Sequence, residues 1–261
     1  MIAILTVWAL LMQAHSAMAY VSDMSVRFLE SNSWEVKLNQ MNLLIDPVMS
    51  QLDFGVPMLY SGNKRVIDGP KELEILCRTS DYVVITQGFD DHAHSPTLKT
   101  IHKYRPDIKY VCPPSAVEII TSCGISAGNL IVMSPGEVQT LGNGKCKVDV
   151  RATTGALLGP PWAKKENGYL LRSNDCELPD NEYELYIEPH CMFDPTELKR
   201  FSSIAVIAPI VSQDLFAGAF PLVAGGAKSA ELCDILNAKY LLPMANGNLK
   251  QTGPYSHKQV I

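Results

Sequence analysis

Residues 82–94 read Tyr-Val-Val-Ile-Thr-Gln-Gly-Phe-Asp-Asp-His-Ala-His, and Ser95-Pro96 follows at once. Tyr82–Thr86 is a compact β-branched run, the pattern of a strand buried on both faces. Ser95-Pro96 offers an N-cap and a proline at the first helical position, and Leu98, Ile101 and His102 mark a helix face. Thr86–His94 therefore sits where a buried strand hands over to a helix. Ligands in α/β layers collect at such carboxyl ends of strands. Asp90, Asp91, His92 and His94 could supply nitrogen and oxygen ligands to a borderline or hard cation. The competing reading is structural: Ser95 caps the helix while Asp90 and Asp91 complement its dipole.

Upstream, Ser25–Glu30, Trp34–Asn39 and Met41–Asp46 read as short strands separated by Asn/Ser turns. Downstream, strands at Ile108–Cys112 and Leu130–Met133 flank a helix opened by Ser115 and stopped at Gly124. Val138–Leu141 and Lys145–Ala152 flank Asn143-Gly144, a type I′ hairpin signal. A long loop runs from Gly159-Pro160-Pro161-Trp162 to near Gly168. Tyr169–Arg172 and Glu184–Glu188 read as strands around an Asn174-Asp175 turn, and Ile204–Ile210 as a buried strand. Gly226–Ala238 reads as a helix with Leu232, Ile235 and Leu236 inward, and Tyr240–Pro243 as the last strand. The polar tail, Asn246–Ile261, is expected to add no element. The order is antiparallel β followed by β/α, twice, within one domain over residues 20–261.

A second polar cluster, Glu188-Pro189-His190-Cys191, closes another strand and could bring a carboxylate to the same rim. A Cys191–His190 pair is a further candidate for thiol chemistry, although nothing upstream would activate it. No GxSxG elbow, GxxxxGK[ST] loop or GxGxxG turn occurs. Of the 261 residues, 47% are apolar and 19% charged, enough for a buried core. The charge is -5 with no basic run, which excludes an electrostatic footprint for nucleic acid. Seven cysteines without CxxC spacing argue against a disulfide framework. Residues 1–19 stand apart as a targeting-type segment, with a short apolar run from Ile2 to Met12 and Ala17-Met18-Ala19 as a cleavage-like site. The run is too short for a stable membrane span. It resembles a secretory signal or a plastid lumen signal, but no Lys or Arg precedes Arg27.

Three stretches carry a resemblance to the metallo-β-lactamase-fold hydrolases: FLESNSWEVKL leading to Leu44–Pro47 (LIDP), TQGFDDH, and the hairpin within SPGEVQTLGNGKCKVDVRATTG. The match covers residues 24–250 and looks closest to a plant and cyanobacterial branch similar in ITQxxDDHxH, GPPWxxxENGY and EPHC. That resemblance implies an α+β fold, a four-layer αββα sandwich of two pseudo-symmetric halves, and a plastid location. It also implies a metal site, with Asp91 and His92 matching the family's second-site pair. Glu188 lies near the family's bridging carboxylate, His190 and His94 are candidate replacement ligands, Asp46 would support the metal loop from behind together with Asp90, and Asp90 or His94 could shuttle the proton. The chain departs from the pattern where the first two family histidines fall, at Gln87 and Phe89, and again at Thr153-Thr154-Gly155 and Pro243-Met244-Ala245-Asn246. A dinuclear site is therefore not expected. The expectation is one divalent metal, zinc first with iron or manganese as alternatives, serving hydrolysis of an ester, thioester or lactone. Asp91 and His92 would be catalytic, and Gln87 and Trp162 would contact the small-molecule substrate. The rival expectation is a metal-free protein of the same fold that binds a ligand or a protein. The tail Gly253–Ile261 looks unlike the helix with which relatives continue, as though shortened.

Overall fold

A computed structural model describes residues 24–157, 162, 164–174, 178–215, 220–244 and 249–254. The targeting-type segment, Gly159-Pro160-Pro161, Ala245-Asn246 and the end of the tail lie outside those residues. Strands β1 (Met24–Phe28), β2 (Trp34–Leu38) and β3 (Met41–Ile45) form an antiparallel meander. After β4 (Ser61–Asn63) and α1 (Gly69–Thr79) come β5 (Tyr82–Val84), α2 (Ser95–Tyr104), β6 (Lys109–Cys112), α3 (Val117–Ser122) and β7 (Leu130–Val132). Strands β5, β6 and β7 extend the meander in parallel, giving a six-stranded sheet ordered β1-β2-β3-β5-β6-β7.

The second half repeats this plan. Strands β8 (Val138–Gly142), β9 (Lys147–Thr154), β10 (Asn167–Ser173) and β11 (Glu182–Ile187) run antiparallel. Helix α4 (Pro195–Leu198) leads to β12 (Ser202–Pro209), which joins β11 in parallel. A hairpin of β13 (Gln213–Leu215) and β14 (Phe220–Val223) precedes α5 (Ala227–Ile235) and β15 (Tyr240–Met244), which completes a sheet ordered β15-β12-β11-β10-β9-β8. Strand β16 (Lys250–Thr252) returns to pair with β4.

Alternation along the strands sorts side chains into layers. Val36, Leu43, Ile45, Val84 and Val111 of the first sheet meet Val148, Val150, Tyr169, Leu171, Leu185 and Ile207 of the second, forming the central core. On the outer face of the first sheet, Leu44, Val83, Ile85 and Tyr110 pack against Leu73 and Leu76 of α1, Leu98 and Ile101 of α2, and Ile120 of α3. On the outer face of the second, Leu170, Tyr186 and Val206 pack against Leu198 of α4 and Leu232 of α5. The molecule is a four-layer αββα sandwich, as the resemblance implied.

Three expectations need correction. Helix α1 was not anticipated: its sequence is largely polar, and only Gly69, Leu73, Leu76 and Cys77 are buried, although Asp68 caps it and Pro70 opens it. The tail does contribute an element, because β16 finds the edge of β4. The cap of α2 is His94 rather than Ser95, and its side chain makes no capping bond to the backbone N–H groups of the first turn. The Asp90 carboxylate accepts the Ser95 N–H instead, so this acid serves the helix N-terminus.

Candidate functional site

The carboxyl ends of β3, β5 and β11 open on one rim of the sandwich, and the polar residues of the sequence gather there. Strand β5 stops at Val84 because Thr86 leaves the ladder: its N–H donates to Asp46 Oδ1 (2.8 Å) and its hydroxyl to Asp46 Oδ2 (2.5 Å). Asp46 is fully buried and adopts φ 42°, a left-handed conformation that costs a non-glycine residue energy. Ser33 holds that turn, donating its hydroxyl to the Asp46 carbonyl and accepting the Val48 N–H, both at 2.9 Å.

The Asp46 carboxylate orients His92, which is also fully buried, through a 2.8 Å contact to Nδ1. The other ring nitrogen, Nε2, accepts from the Asn32 amide at 3.2 Å and stands 3.5 Å from Asp91 Oδ2. Asn32 donates further to the Asp91 carbonyl (3.0 Å) and carboxylate (3.3 Å). A histidine held at Nδ1 by a carboxylate, with a lone pair at Nε2, has the arrangement of a metal ligand supported from behind. Asn32, Ser33 and Thr86 hold this arrangement, and the sequence reading does not single them out. Their signal was only a polar turn before β2 and a threonine at a strand end.

From the second sheet, Glu188 and His190 face the same rim. Glu188 is fully buried; one carboxylate oxygen accepts the Met192 N–H at 2.6 Å, and the other has no hydrogen-bond partner. His190 Nδ1 is likewise buried and unpartnered, and its ring centroid lies 5.5 Å from that of His92. Gln87 is buried with both amide atoms unpaired. Cys191 has φ 53°, and its thiol accepts from Ser229 at 3.4 Å rather than meeting His190. Burial pushes that thiol up to about 12, so the thiol reading has no nucleophile at neutral pH.

Two residues named as candidates lie elsewhere. His94 spends Nδ1 on the Thr97 hydroxyl (2.9 Å) and bonds the Gln51 backbone, which leaves its ring committed to packing β3's following loop against α2. Trp162, expected to contact the substrate, is 85% exposed. A residue without a sequence-level assignment, Glu166, instead bridges the halves, accepting the Ser115 hydroxyl (2.5 Å) and the Gly88 N–H (3.2 Å). The neighbouring Asn167 N–H donates to the Thr86 carbonyl at 3.2 Å. The Gln87-Gly88 turn is thereby clamped across the sheets. A Cβ on Gly88 would stand 2.5 Å from the Ser115 carbonyl carbon. Gly88→Ala is expected to cost about 1–3 kcal/mol by forcing that backbone apart, read by denaturant unfolding; an unchanged midpoint would show that the turn yields freely.

Burial opposes protonation of His92, but the Asp91 and Asp46 carboxylates outweigh it and lift the imidazole to about 9. Burial raises Glu188 to about 8. Burial, reinforced by His92, holds His190 down at about 4. In chelated protein the raised His92 contributes stability in full below its unfolded value near 6.5 and loses it as pH rises through about 9. Glu188 acts in the same sense, its contribution fading as pH rises toward about 8. The melting temperature in chelator should therefore fall between pH 6.5 and 9, and His92→Gln should flatten that slope; thermal melts across the range check both.

Among the described residues, no three His, Cys, Asp or Glu side chains are gathered into a cluster that could hold a metal ion. The donors nevertheless suit one ion in kind. Glu188 and His190 each keep a buried atom with no hydrogen-bond partner, and His92 Nε2, held by the Asn32 amide, offers its lone pair only once the ring is neutral and that contact is given up. Binding would draw at least one of them inward.

Comparison with known proteins agrees with this architecture. A family model described as "Beta-lactamase superfamily domain" matches residues 25–245. Among solved structures, Igni18, a metallo hydrolase from the archaeon Ignicoccus hospitalis, aligns with a TM-score of 0.57 at 15% identity, over 85% of this chain and 82% of that one. A possible metal-dependent hydrolase from Veillonella parvula aligns with a TM-score of 0.58 at 16% identity, over 84% and 83%. CmlA, a diiron beta-hydroxylase from Streptomyces venezuelae, aligns with a TM-score of 0.57 at 14% identity, over 87% of this chain but 45% of its own. At such identities the likeness is one of fold. No curated protein sequence gives a significant match. No helix among the described residues is long and apolar enough to cross a membrane.

Proposed function

The chain belongs to the beta-lactamase superfamily, and from that premise we propose that it is a hydrolase using one divalent metal ion, zinc first, on an ester, thioester or lactone. The observation that carries this reading is the buried Asp46–His92 pair, which leaves Nε2 facing the rim beside Asp91. His92, Asp91, Glu188 and His190 would hold the ion, in a combination of three with one position open. When bound, the ion supplies Lewis acidity toward a carbonyl oxygen and toward water.

The protein's own groups do the rest. Asp46 fixes the tautomer of His92 by accepting from Nδ1, and Asn32 holds Asp91 against that imidazole. Gln87, with both amide atoms unpaired, is the candidate to bind the substrate's polar end. Asp90, which burial raises above the usual carboxylate range, can hold or release a proton at its carboxyl beside Asp91.

Metal analysis tests the reading. Protein purified without a metal-binding tag, then dialysed against zinc, iron or manganese, should carry about one equivalent. His92→Ala and Asp91→Ala should each lose it while remaining folded. The second reading, a metal-free binding protein of the same fold, is favoured by the ungathered donors. It takes over if wild type holds no metal after supplementation and its melting temperature ignores chelator.

A further inference from the structure

The turn between β1 and β2 is strained and closely held. Glu30 and Ser31 take φ 64° and 57°, successive left-handed conformations in residues other than glycine. The buried Glu30 carboxylate accepts the N–H groups of Arg65, Val66 and Ile67 at 3.0–3.1 Å. The Lys64 ammonium donates to the Leu29 and Glu30 carbonyls. Leu29 N–H to the Ser33 carbonyl (2.9 Å) and Ser33 N–H to the Glu30 carbonyl (3.2 Å) close the turn. Strain of this kind persists only where the surroundings impose it. Here the surroundings fix the residue that follows, Asn32.

Asn32 is buried, and its amide nitrogen stands between two of the residues assigned to the ion. It lies 3.3 Å from Asp91 Oδ2 and 3.2 Å from His92 Nε2, and those two atoms are 3.5 Å apart. Ligand atoms arranged tetrahedrally about 2.1 Å from a cation lie about 3.4 Å from one another. The three positions therefore have the spacing of one face of a coordination shell. In the structure the Asn32 corner of that face is an N–H donor, which suits two acceptors. Around a cation the same corner needs an oxygen, and half a turn of the amide exchanges Nδ2 for Oδ1. That oxygen is buried and has no hydrogen-bond partner. We propose that Asn32 is a ligand of the metal ion through Oδ1, completing a face with Asp91 and His92. The proposal rests on the one-metal reading and adds a ligand to it. An amide oxygen, a carboxylate and an imidazole form a set that manganese or iron accepts as well as zinc. It also accounts for the lack of three gathered His, Cys, Asp or Glu side chains among the described residues, because the third corner is an amide.

The test uses the full chain, stripped with chelator and checked for folding by circular dichroism. Zinc and manganese are titrated by calorimetry, at neutral pH, into wild type, Asn32→Ala and Asn32→Asp, and hydrolysis of p-nitrophenyl acetate is followed beside it. Asn32→Ala should weaken binding by about tenfold or more, the scale on which even the residues behind metal ligands act. Asn32→Asp, which keeps an oxygen at the corner in either orientation, should bind at least as tightly as wild type. If Asn32 only braced Asp91 through its amide hydrogens, Asn32→Asp would lose that donor, set two carboxylates side by side and bind as poorly as Asn32→Ala; that result overturns the proposal. Tighter binding by Asn32→Ala overturns it too, since the amide would then be a plug. Should Asn32→Ala fail to fold, Asn32→Asp against wild type decides: binding at least as tight supports the ligand, and weaker binding overturns it. Equal binding by all three proteins overturns the ligand while the one-metal reading stands. Binding that depends on Asn32, with no ester hydrolysed, keeps the ligand and sinks the hydrolase. Wild type that takes up neither ion overturns both.

Discussion

Asp46→Ala is expected to lower the unfolding free energy by about 3–5 kcal/mol, the cost of breaking a buried ionic pair by removing one partner. The carboxylate accepts from the Thr86 N–H and hydroxyl and from His92, all inside the protein. Alanine leaves those donors without partners and keeps the strain of φ 42°. Asp46→Asn should cost less, because asparagine tolerates the left-handed region and retains one acceptor oxygen. It should also drop the His92 pKa from about 9, since one of the carboxylates that raise it is neutralised. Denaturant unfolding measures the first effect and an NMR titration of the imidazole the second. A loss below 1 kcal/mol for Asp46→Ala would mean that this network does not hold the rim together.

Leu171→Ala is expected to cost about 2–5 kcal/mol, by lost transfer energy and by the cavity left behind. Leu171 is fully buried on β10, between Val150 on β9 and Leu185 on β11. It sits in the central core, where neither sheet can collapse into the space without moving its partner. The neighbouring Leu170 is just as buried but faces the outer layer with Leu198 and Leu232. Leu170→Ala should therefore loosen the α4 and α5 side while leaving the contact between sheets intact. Hydrogen exchange would separate the two, with protection of β2 and β3 reduced only by Leu171→Ala. Equal loss in both sheets from either variant would refute that division.

Much of the layered fold was legible before the structure, because it follows from local pattern. The β-branched run at 82–86, the alternating strands of the first meander and the Asn143-Gly144 turn each dictate a conformation through side-chain period or turn chemistry. The same local reading located Asp91 and His92 at a strand end, where an open rim was to be expected. Helix α1 was not legible, since few of its residues are apolar and its burial comes from α2 and the first sheet. Strand β16 was not legible either, since its pairing with β4 joins residues far apart in the chain.

At the site, the sequence by itself determined which donor types were available, Asp, His and Glu at strand ends. Only the tertiary structure decided how they are used. It turned His94 to Thr97, assigned Asp90 to the start of α2 and set Asn32 against His92. It also brought Glu166 from the second half to clamp Gly88 in the first. The physical reason is range. Strand period, capping and turn preference act over a few residues and are written locally, whereas the partner of a buried polar atom is chosen by whichever chain segment the packed sheets place within about 3 Å of it.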